Sequence, residues 1–215
     1  MSQIISIYKP KGPTSNDVVK ILKKYFNEKK VGHAGTLDPL ARGVLVIGVG
    51  REATKKLGDI VKKEKEYIAN IKLGQNSTTD DEEGEKTQIK IKHKPTTDEI
   101  KSILTKFEGK IKQTPPIYSA IKVKGQEAYK LARKGMQVEL KPRIVEIKQI
   151  KLLKYAWPNL EIKVTCGPGT YIRSLARDIG KELNTGGYLT ELERTRVGQF
   201  RKEQAESISK FKRNC

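Results

Sequence analysis

Asp38 stands apart in a chain that carries 44 Lys and Arg against 25 Asp and Glu. It lies in GTLDPLARG, between a Leu and a Pro, with His33 before it and Arg42 after it. Pro39 biases the residue before it toward extended backbone, and the apolar run that follows, GVLVIGV, has the pattern of a buried strand. A carboxylate on a stiff loop at a strand end is well placed to react. Asp-Pro is also common in ordinary turns, so the dipeptide alone favours the plainer role.

Other chemistries find little support. There is no GxxxxGK[ST] for a phosphate loop, and Gly48-Val49-Gly50 is a lone GxG. His33 and His93 are far apart in the sequence, and Cys166 and Cys215 sit in no CxxC pair, so neither a metal centre nor a disulfide framework is expected. No GxSxG and no Cys–His pairing stands out. A reactive carboxylate with no metal and no cofactor, in a basic chain with aromatics, points to base or sugar chemistry on a nucleic acid.

Charge supports that direction. The net charge is +19, and five acids are gathered in DDEEGE (residues 80–85), so the remainder is more basic still. Such a field attracts polyanions, and nucleic acid gains from Lys and Arg through counterion release. The plainer alternative is a Lys-rich surface that keeps the protein soluble. MSQIISIYKPKG has no signal-peptide core, and no apolar run is long enough for a bilayer. A cytoplasmic protein is expected.

The elements that must position these residues follow from periodicity. Residues 2–8 read as a strand closed by KPKGP. TSNDVVKILKKYF reads as a helix capped by Ser15 or Asn16. Residues 43–49 read as a strand and 51–62 as a helix. Residues 67–73 and 87–92 alternate as strands around DDEEGE, which the pattern makes a solvated hairpin tip. TTDE (96–99) is a capping box before a helix. QTPPIYSAIKVKGQEAYKLARKG reads as an excursion from the core with a short helix at 126–134. Strands at 143–154 and 159–166, a helix at 170–183 and an element at 188–196 follow, and the tail from Arg201 reads as polar and basic. Without strict βαβ alternation, the fold class is α+β, with a mixed, largely antiparallel sheet flanked by helices.

Five ordered motifs then carry a resemblance. HAGTLDPLARGVL is similar to the catalytic-aspartate motif of the TruB family of tRNA pseudouridine-55 synthases. KPKGPTSND, KEYIANIKLG, the QTPP segment and GTYIRSLARDIG resemble that family's further motifs in the same order, over nearly the whole chain. The resemblance implies a pseudouridine synthase catalytic fold as a single domain over residues 1–215. Within it, residues 112–141 correspond to an RNA-gripping thumb. It also implies an isomerase that converts uridine 55 of the tRNA T-arm stem-loop by base flipping. Asp38 matches the essential aspartate, Tyr67 the tyrosine that stacks on the target base and is a candidate general base, and Arg173 the arginine that pairs with the aspartate. His33 matches the histidine that fills the vacated stack. Tyr171 and Leu192 match residues lining the base pocket, and Lys9 matches a lysine supporting the Asp loop. Asp81 falls near an active-site aspartate of the family, in a loose alignment. Family members usually continue into a C-terminal domain of the PUA type, and too few residues follow Phe200 for one. A monomer with no obligatory protein partner is expected. The rivals are a tRNA-folding chaperone with secondary catalysis, a guide-RNA-dependent synthase subunit and a purely structural RNA-binding module.

Overall fold

In the computed structural model, which describes residues 2–123 and 125–212, the chain begins β1 (Gln3–Lys9), α1 (Ser15–Tyr25), β2 (Val31–His33), β3 (Ala41–Val49) and α2 (Arg51–Val61). It continues through β4 (Lys65–Leu73), β5 (Gln75–Ser77), β6 (Lys86–Gln88), α3 (Thr97–Lys106), β7 (Gly109–Gln113), β8 (Lys122–Val123), β9 (Gln126–Glu127) and α4 (Ala128–Arg133). It ends with β10 (Arg143–Ala156), β11 (Asn159–Cys166), α5 (Ile172–Glu182), β12 (Gly187–Val197), β13 (Phe200–Arg201) and β14 (Glu206–Ser207). The fold is mixed α+β. Antiparallel pairing dominates among the described residues, while parallel pairing joins β12 to β3 and β14 to β1. Among those residues no helix is long and apolar enough to cross a membrane. Cys215 and Lys124 lie outside the described residues.

Contacts gather the chain into two compact units. The first comprises residues 2–68, 165–168 and 192–212, and the second residues 69–164 and 169–191. β4, β11 and β12 each pass from one to the other.

In the first unit β3 is buried along nearly its whole length. That is why it reads as an unbroken apolar run rather than an alternation. Val44 and Val46 point to one face, where they cluster with Ala34, Leu57 and Val197. β1 lies antiparallel along β3 from Gln3↔Val49 to Lys9↔Gly43. β12 lies parallel to the start of β3, with Leu192 opposite Ala41 and Arg194 opposite Gly43. Gly43 has φ of +112°, and a Cβ there would fall 2.2 Å from the Arg194 carbonyl oxygen, so only glycine allows this approach.

Two expectations need correcting here. The cap of α1 is Thr14, in a capping box with Asp17, not Ser15 or Asn16. Ser15 lies inside the helix and its hydroxyl is engaged elsewhere. The tail is not merely polar: Ile208 and Phe211 are buried, and the Phe211 ring meets Tyr25 edge-on at 5.0 Å. Two apolar residues three apart in a basic segment suffice to dock it on α1.

In the second unit β10 pairs antiparallel with β7, and α3 packs on β10. Thr96 caps α3 with Glu99 reciprocating, as TTDE predicts. Ile100, Leu104, Ile147, Leu160, Ile162, Leu175 and Ile179 are among the residues buried here. β6 is shorter than the expected 87–92 strand and pairs with β5, not with β4. Between β7 and β10 the chain forms the small β8–β9 hairpin and α4, with Ile117 and Met136 exposed. α4 is shorter than expected because Gln126 and Glu127 pair as a strand.

Candidate functional site

The loop bearing Asp38 is held by main-chain bonds from three directions. The Ser15 hydroxyl donates to the Leu37 carbonyl at 3.0 Å and accepts from the Leu37 N–H at 2.9 Å. The Gly12 N–H donates to the Pro39 carbonyl at 2.8 Å. Thus KPKGPTS brackets the residues on either side of Asp38. Lys9 is fully buried and organises that bracket, its Nζ donating to the Pro10 and Pro13 carbonyls at 2.9 and 2.8 Å. From β12, Arg194 enters beneath the loop. Its Nε donates to the Val44 carbonyl at 2.7 Å, Nη2 to Gly35 at 3.1 Å and Nη1 to Thr36 at 3.4 Å.

Burial and the Arg194 charge set the protonation of this cluster. Desolvation lowers the Lys9 amine to about 8; the Asp38 carboxylate acts against that shift and Arg194 adds to it. Lys65, whose Nζ donates to the Val61 and Lys63 carbonyls, is likewise lowered to about 8 by burial and then by Arg194. His33 is held below its usual range by burial and by Arg194. Burial raises the Tyr67 phenol, with Arg194 opposing, so a neutral phenol is favoured.

A stability prediction follows from Lys65. Below about pH 8 its amine is protonated in both folded and unfolded chains, so it adds no pH dependence. Between about pH 8 and 10.5 the folded form has lost the proton that the unfolded form still binds. Stability therefore rises with pH through that window. Urea unfolding at pH 7.5 and 9.5 is expected to show a smaller pH-dependent gain in Lys65→Met than in the wild type. Equal gains in both would refute the assignment.

The second unit builds another charged cluster at the N-terminal turns of α5. Arg173 is buried and its Nη1 meets an Asp81 carboxylate oxygen at 3.3 Å, while Nη2 donates to the Tyr118 carbonyl at 2.8 Å. One turn on, Arg177 pairs with Asp80 at 2.7 Å and donates to the Thr114 carbonyl at 2.9 Å. Tyr171 caps α5, and its main chain exchanges two bonds with the Gln113 amide at 2.8 and 3.1 Å. The expectation of a solvated DDEEGE tip is therefore corrected. Asp81 is 3% exposed. It also accepts from the Thr79 hydroxyl and, at 3.0 Å, from the Glu83 N–H. Two arginines on successive turns of α5 draw the first two acids inward, while Glu82, Glu83 and Glu85 stay exposed.

Of the residues singled out in the sequence, Lys9, His33, Asp38, Tyr67 and Leu192 lie in the first unit, and Tyr171 and Arg173 in the second. Lys9, His33 and Tyr67 all feel Arg194, and Lys9 and Tyr67 feel Asp38 as well. Leu192 shares a strand face with Arg194, two residues away. Sequence reasoning passed over Arg194 and Lys65, and gave Arg177 no role. The available signal was position: Lys65 is two residues from Tyr67 and Arg194 two from Leu192, each on the same face of its strand.

Comparison with known proteins places this arrangement. The chain superposes on a solved Cbf5-Nop10-Gar1 complex with a TM-score of 0.75 at 31% identity, over 96% of this chain and 52% of that one. It superposes on an H/ACA RNP bound to a substrate RNA containing 2'-deoxyuridine with a TM-score of 0.71 at 29% identity, covering 96% and 51%. The chain thus spans about half the length of those solved chains. The fold is that of the pseudouridine synthases. The model of the TruB family pseudouridylate synthase N-terminal domain matches residues 23–172, and that of the tRNA pseudouridylate synthase B C-terminal domain matches residues 173–214. Curated relatives named tRNA pseudouridine synthase B include one from Clostridium tetani, 48% identical over 93% of this chain and 69% of its own length. Another, from Francisella philomiragia, is 46% identical over 99% and 70%. The chain belongs to the TruB family.

Proposed function

We propose that the protein is a tRNA pseudouridine synthase that isomerises uridine 55 in the T-loop. The observation that carries this reading is Asp38, held on a bracketed loop between Lys9 and Arg194 in a chain 48% identical to a tRNA pseudouridine synthase B. In the reaction the N1–C1′ bond of uridine breaks, the uracil turns, and a C5–C1′ bond forms. The C5 proton leaves and N1 gains one, so the product is an isomer and no cofactor is consumed. Asp38 is the covalent partner that keeps the detached base or sugar in place. The target base must leave its stack first, which carries a cost of a few kcal/mol, on the order of one stacking and pairing step. His33 fills the vacated stack, and its lowered pKa keeps it a neutral ring for that purpose. Tyr67 stacks on the flipped base. Burial opposes formation of its phenolate, which gives stacking the larger share of its role over base catalysis. By their family motifs Tyr171 and Leu192 are assigned to contact with the target base and Arg173 to the motif arginine, while Lys9 supports the Asp loop.

Residues 112–141 act as the thumb that grips the T-arm stem-loop, recognised by its shape and phosphates. The catalytic unit is a cytoplasmic monomer that needs no protein partner. A net charge of +19 makes RNA binding strongly salt-dependent. Neutralising about four phosphates predicts a roughly hundredfold loss of affinity between 50 and 200 mM salt. Filter binding measures this, and a loss below about threefold would leave the basic surface without that role.

The deciding experiment uses an unmodified tRNA transcript with uridine tritiated at C5. Tritium release, followed by mapping of the modified position to the T-loop uridine, is the expected result. Tight, salt-sensitive binding without release would favour the chaperone reading instead.

A further inference from the structure

The geometry points to Arg194 as a positioning residue that fixes the Asp38 loop by tying its two ends together. This rests on the reading of Asp38 as the reacting carboxylate. Arg194 is 1% exposed, among the largest fully buried side chains of the protein. Burying a guanidinium is costly unless its N–H groups are met. Here Nη2 and Nη1 meet the carbonyls of Gly35 and Thr36, before Asp38, and Nε meets that of Val44, after it. One rigid planar group therefore spans the loop from entry to exit. A lysine ammonium, a point charge on a flexible stem, has no comparable fork.

The surroundings are shaped to admit this strap. Gly43 lets β3 approach the Arg194 main chain, where any Cβ would clash. Gly35 has φ of +92°, a backbone conformation that L side chains rarely adopt, and offers its carbonyl to Nη2 from there. The three partners are carbonyl dipoles, which offset desolvation without cancelling the charge. The remaining field is felt at Lys9, His33, Lys65 and Tyr67, the groups around Asp38.

A displacement of about 1 Å in a reacting group costs on the order of a hundredfold in rate. Arg194→Lys is therefore expected to lower the single-turnover rate of tritium release by roughly that factor. The tRNA Kd should stay within about threefold, because the strap orders the reacting group rather than the binding surface. A residue that mattered only for folding would lower the unfolding temperature and leave the rate of the folded enzyme unchanged. Thermal unfolding, Kd and saturating rate are measured together.

A folded Arg194→Lys protein with a rate within threefold of wild type overturns the inference, as does a loss confined to Kd. Should Arg194→Lys be unfolded at the assay temperature, Gly35→Ala decides. It keeps Arg194 and displaces one of its anchoring carbonyls, with a rate loss of about tenfold expected and an unchanged rate overturning the inference. A wild type that releases no tritium removes the functional reading itself, and this inference with it. An active wild type beside an equally active Arg194→Lys removes only the inference.

Discussion

Asp38→Asn is expected to bind tRNA within about twofold of wild type and to lose at least about 10³-fold in tritium release, the scale seen when a covalent group is removed. That loss corresponds to about 4 kcal/mol of transition-state stabilisation. The substitution is nearly isosteric. The bonds that bracket the loop reach main-chain atoms of residues 35, 36, 37, 39 and 44, so the loop keeps its shape. Binding should persist because affinity for RNA comes largely from phosphate contacts. A second readout is available in Lys9. The Asp38 charge raises the Lys9 pKa against burial and Arg194. Without it the amine loses its proton at a pH lower than its present value of about 8. Release at more than about a hundredth of the wild-type rate would move the covalent role away from Asp38.

What the sequence made legible, and what it did not, divides along physical lines. The α3 helix is written locally: Thr96 and Glu99 satisfy each other's backbone across one turn, and nothing distant intervenes. β3 is likewise local, since a strand buried on both faces must be apolar throughout. The α1 cap was misread because Ser15 is claimed from 22 residues away by Leu37, which leaves Thr14 to cap. The burial of Asp81 depends on an arginine 92 residues later. Arg194 depends on carbonyls up to 159 residues earlier, and in ELERTRVG it looks like one more surface charge. Of the candidate site, the residue types and their order were readable through the family motifs. The network that holds them was not, because its partners are mostly backbone carbonyls, which leave no trace in residue identity.

The largest expected effect on stability concerns the buried pair Arg173–Asp81. Both side chains are nearly inaccessible, at 7% and 4% exposure. Arg173→Met is expected to destabilise the protein by about 3–5 kcal/mol, because removing one partner leaves the other charge buried and unpaired. Asp81 would retain only the Thr79 hydroxyl and the Glu83 N–H among its named donors, both neutral. The same change frees the Tyr118 carbonyl, which Arg173 holds at 2.8 Å, so the chain between β7 and β8 loosens with it. Asp81→Asn alone should also cost stability, by exposing Arg173 to the reverse imbalance. The double variant should recover about 1–3 kcal/mol relative to the sum of the singles, the range for groups in direct contact. Arg173→Lys should recover little, since an ammonium cannot reach Asp81 and Tyr118 together as a fork does. Urea unfolding of the four proteins closes the cycle. Additive losses, with a coupling below about 0.5 kcal/mol, would mean that the pair fixes no part of the fold. The loop that carries Asp80 and Asp81 would then owe its place to the bridge of Asp81 with Leu189, to Arg177 and to the bonds within the loop itself.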